Sequence, residues 1–177
     1  MISNYLAAGT FIAGFENMIE ELFSISKKNY QQWGPLFLRL IIGYGFMAHG
    51  WAKLARGPAG FEKLLIFIGV PFAHVTSYIL PCIELFGGLA ILSGFYVGLV
   101  SVPLIGTMLV AMFTIQAKFG FSSVKTIGVT SAGPQFGPPG YEINLLYIAG
   151  LAALMLSGAG VFSLDALLTK RRLHRVK

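Results

Sequence analysis

The sequence predicts an all-α membrane protein, in which a four-transmembrane-helix bundle follows an N-terminal amphipathic helix and precedes a basic C-terminal tail. Hydrophobic residues make up 55% of the 177 residues and charged residues only 11%, whereas about 25% of an average soluble domain is charged. The mean hydropathy is +0.73. A lipid bilayer is therefore the expected surroundings of most of this chain.

Four stretches are long enough to be spans, since a helix needs about 20 predominantly apolar residues to cross the hydrocarbon core. Trp33 and Trp51, near the ends of the first stretch, are typical interfacial anchors. The predicted spans run from about Pro35 to Leu54, Val75 to Val97, Leu99 to Ala117 and Tyr141 to Val161.

Small side chains at four-residue spacing predict where these spans pack, because they let another helix backbone approach closely. The second span carries Ala90, Gly94 and Gly98 at this spacing. The fourth carries Ala149, Ala153 and Ser157. We expect both stripes to be packing faces inside the bundle.

Three segments lie outside the predicted spans. In residues 15–32, apolar and acidic side chains fall on opposite sides of a helix, which favours an amphipathic helix on the membrane surface. Residues 61–72 have a similar mixed character. The connection 118–140 is rich in Gly, Pro and Ser and is long for a compact domain, which is typical of a functional loop. The chain thus divides into an interfacial segment 1–34, a helical domain 35–168 and a basic tail 169–177.

The net charge of +6 comes largely from the C-terminus, because five of the 13 Lys and Arg residues lie in the last eight positions. They directly follow an apolar run and form no stripe interleaved with aromatic residues, so we expect contact with anionic lipid and no binding of nucleic acid. Eight basic residues flank the spans on the terminal side and five on the other. This excess predicts that both termini are cytoplasmic. The basic residues of the tail are Lys170, Arg171, Arg172, Arg175 and Lys177.

Cysteine and histidine usage limits the redox chemistry. Cys82 is the only cysteine, which excludes a disulfide or a dithiol relay within this chain. No Cys or His cluster has ligand spacing, and His49 and His74 fall at different depths, so we expect neither a metal nor a haem. Sequence motifs of phosphate loops and nucleophile elbows are also missing.

Five polar side chains in or beside the spans are the candidate functional residues. A charge near the bilayer centre costs at least about 2.5 kcal/mol, so each needs a partner or a purpose. At about 1.5 Å of rise per residue, Glu84 falls between His49 and Arg39 in depth. We therefore expect an Arg39–Glu84 ion pair or a His49–Glu84 hydrogen bond. The five candidates are Arg39, His49, Lys53, Glu84 and Glu142.

Each candidate also has a structural interpretation. Arg39 and Glu84 could simply fix the register of two helices, and Lys53 could extend its ammonium to the membrane interface. Glu142 could stabilise a helix N-terminus. His49 could be a core histidine with a satisfied hydrogen bond, although Gly50 beside it would open space for a ligand.

Several strings together resemble the DoxX family of bacterial membrane proteins. They are LRLIIGYGFMAHGWAKL at 38–54, GFEKLLIFIGVP at 60–71, IELFGGLAILSGF at 83–95, GYE at 140–142 and FSLDALL at 162–168. The resemblance implies a four-helix protein of the bacterial inner membrane, related to the DoxD subunit of thiosulfate:quinone oxidoreductase. It carries the family's polar positions onto the same five residues that the burial argument selects.

Two functions follow as hypotheses. In the first, the chain is a quinone-interacting subunit of a sulfur- or thiol-linked redox system. His49 and Lys53 then bind the quinone carbonyls, with Arg39 also lining the site, and Glu84 or Glu142 exchanges protons; Glu84 and His49 are the catalytic candidates. In the second, it is a non-catalytic membrane anchor or assembly subunit for a partner redox enzyme. A small-solute carrier is a third alternative, and a partner subunit or a homo-oligomer is expected.

Overall fold

The computed structural model describes residue 18 and residues 33–175, with side chains up to residue 171. The chain divides into two units, Met1–Gly34 and Pro35–Lys177. The predicted amphipathic helix at 15–32 lies outside the described residues except for Met18, which is helical.

The described part of the second unit is mostly helical. Six helices and one β-hairpin follow each other in the order α1, α2, α3, α4, β1, β2, α5, α6. They span Gly34–Ala55 (α1), Pro58–Phe67 (α2), Ala73–Ser93 (α3), Val97–Ala111 (α4), Thr126–Thr130 (β1), Gly133–Phe136 (β2), Glu142–Ser157 (α5) and Leu164–Arg175 (α6). The helical path of α4 continues through a π-helical turn, Met112–Gln116, and a 3-10 turn, Ala117–Phe119.

Two helices within residues 33–175 have the length and apolar composition of a membrane span. They are α3, with a mean hydropathy of 1.7, and α4 with its extension to Phe119, with a mean hydropathy of 2.0. Helix α1 is as long, 22 residues, but contains Arg39 and Lys53. Helix α5 is apolar but has only 16 residues. The predicted count of four spans stays a prediction.

Glycines end two helices earlier than the sequence predicts. Helix α3 stops at Ser93 because Gly94 takes a left-handed conformation, φ 71°, and its N–H and that of Phe95 close the last turn. Helix α5 stops at Ser157 because Gly158, at φ 77°, leaves the helical region. The predicted second and fourth spans were therefore each four residues too long at this end.

Helices α1 and α3 meet backbone to backbone at three glycines. A Cβ atom on Gly43 would lie 2.7 Å from the amide nitrogen of Leu92, and one on Gly50 would lie 2.7 Å from the carbonyl oxygen of Pro81. One on Gly88 would lie 2.7 Å from the carbonyl oxygen of Gly43. No larger side chain fits at these positions, so the glycines fix how closely the two helices approach.

The predicted small-residue stripes serve this purpose at Gly94, where a Cβ atom would lie 2.5 Å from the Cβ of Ser163, but not at their exposed positions. Ala149, Ala153 and Ser157 are all exposed on α5, and Gly98 is exposed with open space around it. Gly150 instead faces inwards, because its Cβ position meets the side chain of Ile42. Spacing alone identified small side chains without giving the direction in which they point.

The core lies where the four longest helices meet. Phe46 of α1 packs edge to face against Tyr147 of α5, with ring centroids 5.3 Å apart. Leu104 of α4 contacts the position of Gly87 on α3. The fully buried apolar side chains of this cluster are Phe46, Ile91, Val97, Leu104, Leu151 and Leu154.

The loop between α4 and α5 contains the antiparallel pair β1 and β2, which the sequence did not predict. Its two ends are tied together at the start of α5. The N–H of Gly140 donates to the carbonyl of Ser122, and the N–H of Tyr141 donates to the carbonyl of Gly120. A Cβ on Gly140 would overlap these carbonyl groups, so glycine is required here.

Candidate functional site

Glu84 is a carboxylate buried in the middle of α3. It is eleven residues from the start of that helix, or roughly 16 Å along its axis, and its exposed fraction is 2%. Both carboxylate oxygens accept hydrogen bonds from the ammonium of Lys53 at 2.5 Å. Because an unpaired carboxylate at this depth would be strongly disfavoured, the lysine is what makes a charged Glu84 tolerable.

Lys53 extends to the edge of the bundle. Its side chain is 29% exposed, against 3% for that of Glu84. Its ammonium also lies 5.0 Å from the centroid of the Phe61 ring of α2, a distance suited to a cation–π contact. An ammonium has three N–H donors, and Glu84 receives two of them, so one donor has no acceptor among the described residues.

His49 lies apart from this pair. It is one helical turn before Lys53 on α1, but its side chain is exposed and makes no hydrogen bond within the described part of the chain. The predicted His49–Glu84 hydrogen bond is therefore wrong. His49 projects from the bundle surface, where a molecule in the surrounding medium could reach it.

Arg39 does not pair with Glu84, and that prediction is also wrong. The Nε–H donates to the carbonyl of Ile91, the two Nη1–H groups to those of Ala159 and Val161, and the two Nη2–H groups to those of Leu92 and Phe162. A guanidinium has five N–H donors, and these bonds use all of them. The geometry thus argues against Arg39 as a ligand-binding residue and assigns it to joining the C-terminal end of α3 to the segment after α5.

The carboxylate of Asp165 completes this junction. Its two oxygens accept hydrogen bonds from the backbone N–H groups of Tyr96 and Val97, at 2.9 and 3.3 Å. These are the first amides of α4, where an anion offsets both the unpaired donors and the helix dipole. The FSLDALL string therefore has a structural purpose, which is to attach the start of α6 to the turn between α3 and α4.

Glu142 binds the loop that precedes α5. Its Oε2 accepts a hydrogen bond from the N–H of Ser123 at 2.9 Å, and its own N–H donates to the carbonyl of Phe121. None of these contacts is with Lys53 or Glu84. The sequence analysis left Glu142 either as a functional residue or as one that stabilises a helix N-terminus. The structure favours the second interpretation, because Glu142 lies in the first turn of α5 and binds the loop there.

Two buried amides were missed as candidates. Asn144 is 3% exposed; its Nδ2 donates to the carbonyl of Met108 at 3.3 Å, and its Oδ1 has no partner in the described structure. The Oε1 of Gln116, which ends the π-helical turn, is likewise buried and unpartnered. The cost of burying an amide in an apolar span could have identified Asn144 from sequence.

Asn144 and Glu84 lie at a similar depth. Gly87 of α3 faces Leu104 of α4, and these helices run antiparallel because only a short turn joins them. Glu84 is three residues before Gly87, and Met108 is four residues after Leu104, so both are displaced by roughly 5 Å in the same direction. The polar groups of α3 and α5 therefore occupy one layer of the bundle.

No group of three or more His, Cys, Asp or Glu side chains that could hold a metal ion occurs among residues 18 and 33–175. Cys82 is free and partly buried on α3. Lys53 and Glu84 thus form the site by themselves, with an ammonium donor that reaches the bundle edge and a carboxylate behind it.

Comparison with known proteins places this geometry in a family context. The family model described as DoxX matches residues 34–117, which include Arg39, His49, Lys53 and Glu84. The inner membrane protein YqjF of Escherichia coli is 31% identical over 144 residues, which cover 81% of this chain and 98% of that protein. A Bacillus subtilis protein named as a putative oxidoreductase, CatD, is 33% identical over 88 residues, which cover 50% of this chain and 63% of that protein. No solved structure matches the chain.

Proposed function

Because this chain belongs to the DoxX family of membrane proteins, we propose that it is a quinone-interacting subunit of a membrane redox system. The observation that carries the proposal is the Lys53–Glu84 pair, in which a deeply buried carboxylate meets a lysine with an unused donor at the edge of the bundle. The name of the CatD relative, putative oxidoreductase, supports a redox role.

The geometry of the pair suits a quinone better than a purely structural ion pair. A structural pair is most favourable when every donor is satisfied, but Lys53 keeps one N–H and 29% of its side chain exposed. A quinone is an uncharged molecule that dissolves in the bilayer. Its carbonyl oxygen could therefore accept a hydrogen bond from the free ammonium donor without disrupting the pair. His49, exposed one turn away, is the candidate for a second polar contact.

A bound quinone would supply the two-electron acceptor, and the residues of this chain would position it and handle protons. Lys53 would donate a hydrogen bond to one carbonyl oxygen and would stabilise negative charge there. Glu84, in direct contact with the ammonium, would accept or return a proton through Lys53. Since Cys82 is the only thiol, we propose that electrons arrive from a partner protein with sulfur or thiol chemistry.

Four membrane crossings with both termini in the cytoplasm of a bacterial cell are part of this proposal. Helices α1 and α5 would cross beside α3 and α4, with Arg39 and Lys53 compensated by the contacts described above. Single cysteines placed in the tail and in the β1–β2 hairpin, in a Cys82→Ser background, test this topology. Labelling of the hairpin but not the tail by an impermeant thiol reagent in intact cells is expected. Labelling of the tail would overturn it.

A non-catalytic anchor or assembly subunit is the second candidate, and one observation favours it. The outward stripe Ala149, Ala153 and Ser157 on α5 leaves a surface onto which a helix of a partner could pack closely. Under this alternative the chain co-purifies with a partner in fixed proportion, and substitutions at Lys53 or Glu84 do not change the activity of the complex beyond their effect on its stability.

The deciding experiment is quinone retention by the purified full chain. We expect solvent extraction of the protein in mild detergent to release quinone in proportion to protein, and the Glu84→Gln and Lys53→Met variants to lose most of it. Glu62→Gln is the matched control, because Glu62 is a partly exposed carboxylate outside the buried layer, with its Oε1 3.2 Å from Nδ1 of the exposed His74. Melting curves identify variants that fail to fold. Equal retention by Glu84→Gln and the folded parent protein would refute the proposed site.

A further inference from the structure

The outward face of α3 carries a shallow, open apolar groove that the Lys53–Glu84 site does not use. It consists of two open cavities of about 410 and 390 Å³ that share Phe86. The first is bounded by Tyr78, Ile79, Cys82, Ile83 and Phe86. The second is bounded by Phe86, Leu89, Ala90, Ser93, Phe95 and Leu164.

The groove ends at the first residue of the basic helix α6. Leu164 both lines the second cavity and begins α6. The hydroxyl of Ser163 accepts a hydrogen bond from the N–H of Ala166 and so caps the helix. Together with the bonds from Asp165 to the start of α4, this cap gives the beginning of α6 a defined position at the end of the groove.

Helix α6 has the composition of a helix that lies in a membrane interface. Leu164, Leu167 and Leu168 share one face by helical spacing, and all three side chains are exposed. The helix also carries Lys170, Arg171, Arg172 and Arg175, against one acidic residue, Asp165. Exposed leucines together with basic residues are typical of a helix that inserts its apolar face beside anionic headgroups.

We propose that the groove and α6 together form a binding site for one anionic phospholipid, with an acyl chain along α3 and the phosphate beside Lys170 and Arg171. The two cavities together run along α3 from Tyr78 to Ser93, or roughly 22 Å of helix. Half of a bilayer core is about 15 Å thick. The groove is thus long enough for an acyl chain that reaches the middle of the bilayer from the end where the basic helix lies.

The charge of α6 distinguishes this occupant from a neutral lipid. An apolar groove alone would accept the acyl chain of any phospholipid or the tail of a quinone. A site with basic residues at only one end favours a negatively charged headgroup, because each Lys or Arg near an anionic lipid contributes roughly a fivefold gain in occupancy. Selective retention of an anionic lipid is therefore the property to measure.

The test is native mass spectrometry of the full chain from bilayer discs that contain equal amounts of phosphatidylglycerol and phosphatidylethanolamine. We expect the unmodified chain to retain phosphatidylglycerol over phosphatidylethanolamine by at least about fivefold. The double variant Lys170→Gln/Arg171→Gln should lose most of this preference. Lys118→Gln/Lys125→Gln is the matched control, since it removes the same charge from the region of the loop, and its preference should not change.

A second variant tests the groove. Ala90→Leu narrows the second cavity while leaving α6 intact, and it should reduce the number of phosphatidylglycerol molecules retained. Equal retention of the two lipids by the unmodified chain would overturn the proposal, as would equal losses in the two charge variants. Undiminished binding to a folded Ala90→Leu variant would overturn it as well, because α6 would then attract headgroups without a chain site. Quinone retention by the same samples reports separately on the Lys53–Glu84 site.

Discussion

The ammonium of Lys53 contacts both carboxylate oxygens of Glu84 across α1 and α3, yet the two partners differ greatly in exposure. Glu84 is sealed inside α3, whereas the side chain of Lys53 is 29% exposed. Gly50, one turn before Lys53, lets the two helix backbones approach closely enough for this contact. The pair is therefore asymmetric, and the two partners should not be equally sensitive to substitution.

We expect Lys53→Met to destabilise the protein more than Glu84→Gln does. The methionine variant leaves Glu84 buried without a counter-ion, which costs about 3 to 5 kcal/mol. The glutamine variant leaves a lysine that can turn towards the membrane interface, so its cost should be nearer the loss of one hydrogen bond to a charged group, about 1.5 to 3 kcal/mol. Reversible unfolding in detergent measures the difference.

The double variant Lys53→Met/Glu84→Leu provides the control for this asymmetry. Replacing both charges by apolar side chains removes the buried charge together with its partner, and such replacements are often neutral or stabilising. We expect its unfolding free energy to recover to within about 1 kcal/mol of the parent, while quinone retention is lost. A double variant as unstable as Lys53→Met would show that shape, rather than charge, dominates at this position.

Arg39 should be essential for stability and dispensable for ligand binding. Its guanidinium donates to five carbonyls in two chain segments, and removing a charged donor from buried acceptors costs about 1.5 to 3 kcal/mol for each bond of good geometry, with strong non-additivity. We expect Arg39→Lys, which keeps the charge but not the fork, to lose at least about 3 kcal/mol. Quinone retained per folded molecule should be unchanged. Arg56→Lys, at an exposed arginine, is the control.

Replacement by alanine should have opposite effects on stability at two glycines in neighbouring helices. The Cβ of Gly88→Ala would lie 2.7 Å from backbone atoms of α1, so the helices must separate, at a cost of several kcal/mol, of the order seen for overpacked cores. Gly106→Ala, in the middle of α4, meets no atom within 4 Å and should stabilise the protein by about 0.5 to 1 kcal/mol through helix propensity. Similar melting temperatures for the two variants would contradict the close α1–α3 approach.

The sequence was most informative about position along the chain and least informative about direction around a helix. Apolar run length located α1, α3, α4 and α5, and the family resemblance was confirmed by the matched relatives. Hydropathy gave no orientation, however, so Ala153 was predicted to face inwards although it is exposed. The glycine contacts at Gly43 and Gly88 depend on how two helices are paired, which no local pattern specifies.

The prediction of which charged side chains pair was wrong for the same reason. Depth along the spans made Arg39 a plausible partner of Glu84, but depth is only one of three coordinates. In the structure, Arg39 donates to carbonyls at the end of α3, and Lys53 pairs with Glu84 instead. An argument that counts charged side chains does not consider backbone carbonyls, and small-residue spacing gives no sign of the left-handed conformation of Gly94, which ends α3 and so sets where its last carbonyls lie.

The last prediction concerns Asn144, because substitutions there can show whether the unpartnered Oδ1 of its buried amide has a function. The carbonyl of Met108, to which Nδ2 donates, also accepts the backbone N–H of Met112. Removing the asparagine therefore leaves no new unpaired carbonyl, and it eliminates the unpartnered Oδ1. We expect Asn144→Leu, which keeps the branched shape and the number of side-chain heavy atoms, to be neutral or to stabilise the protein by up to about 1 kcal/mol.

The companion variant Asn144→Ala removes the same polar group and leaves a cavity, so it should be less stable than Asn144→Leu by about 2 kcal/mol or more. Unfolding free energies of the two variants, together with quinone retained per folded molecule, decide what Oδ1 does. If Asn144→Leu instead loses about 2 kcal/mol or more and retains less quinone, then Oδ1 accepts a hydrogen bond from a bound hydroxyl or water. Asn144 would in that case join Glu84 as part of the polar layer that binds the ligand.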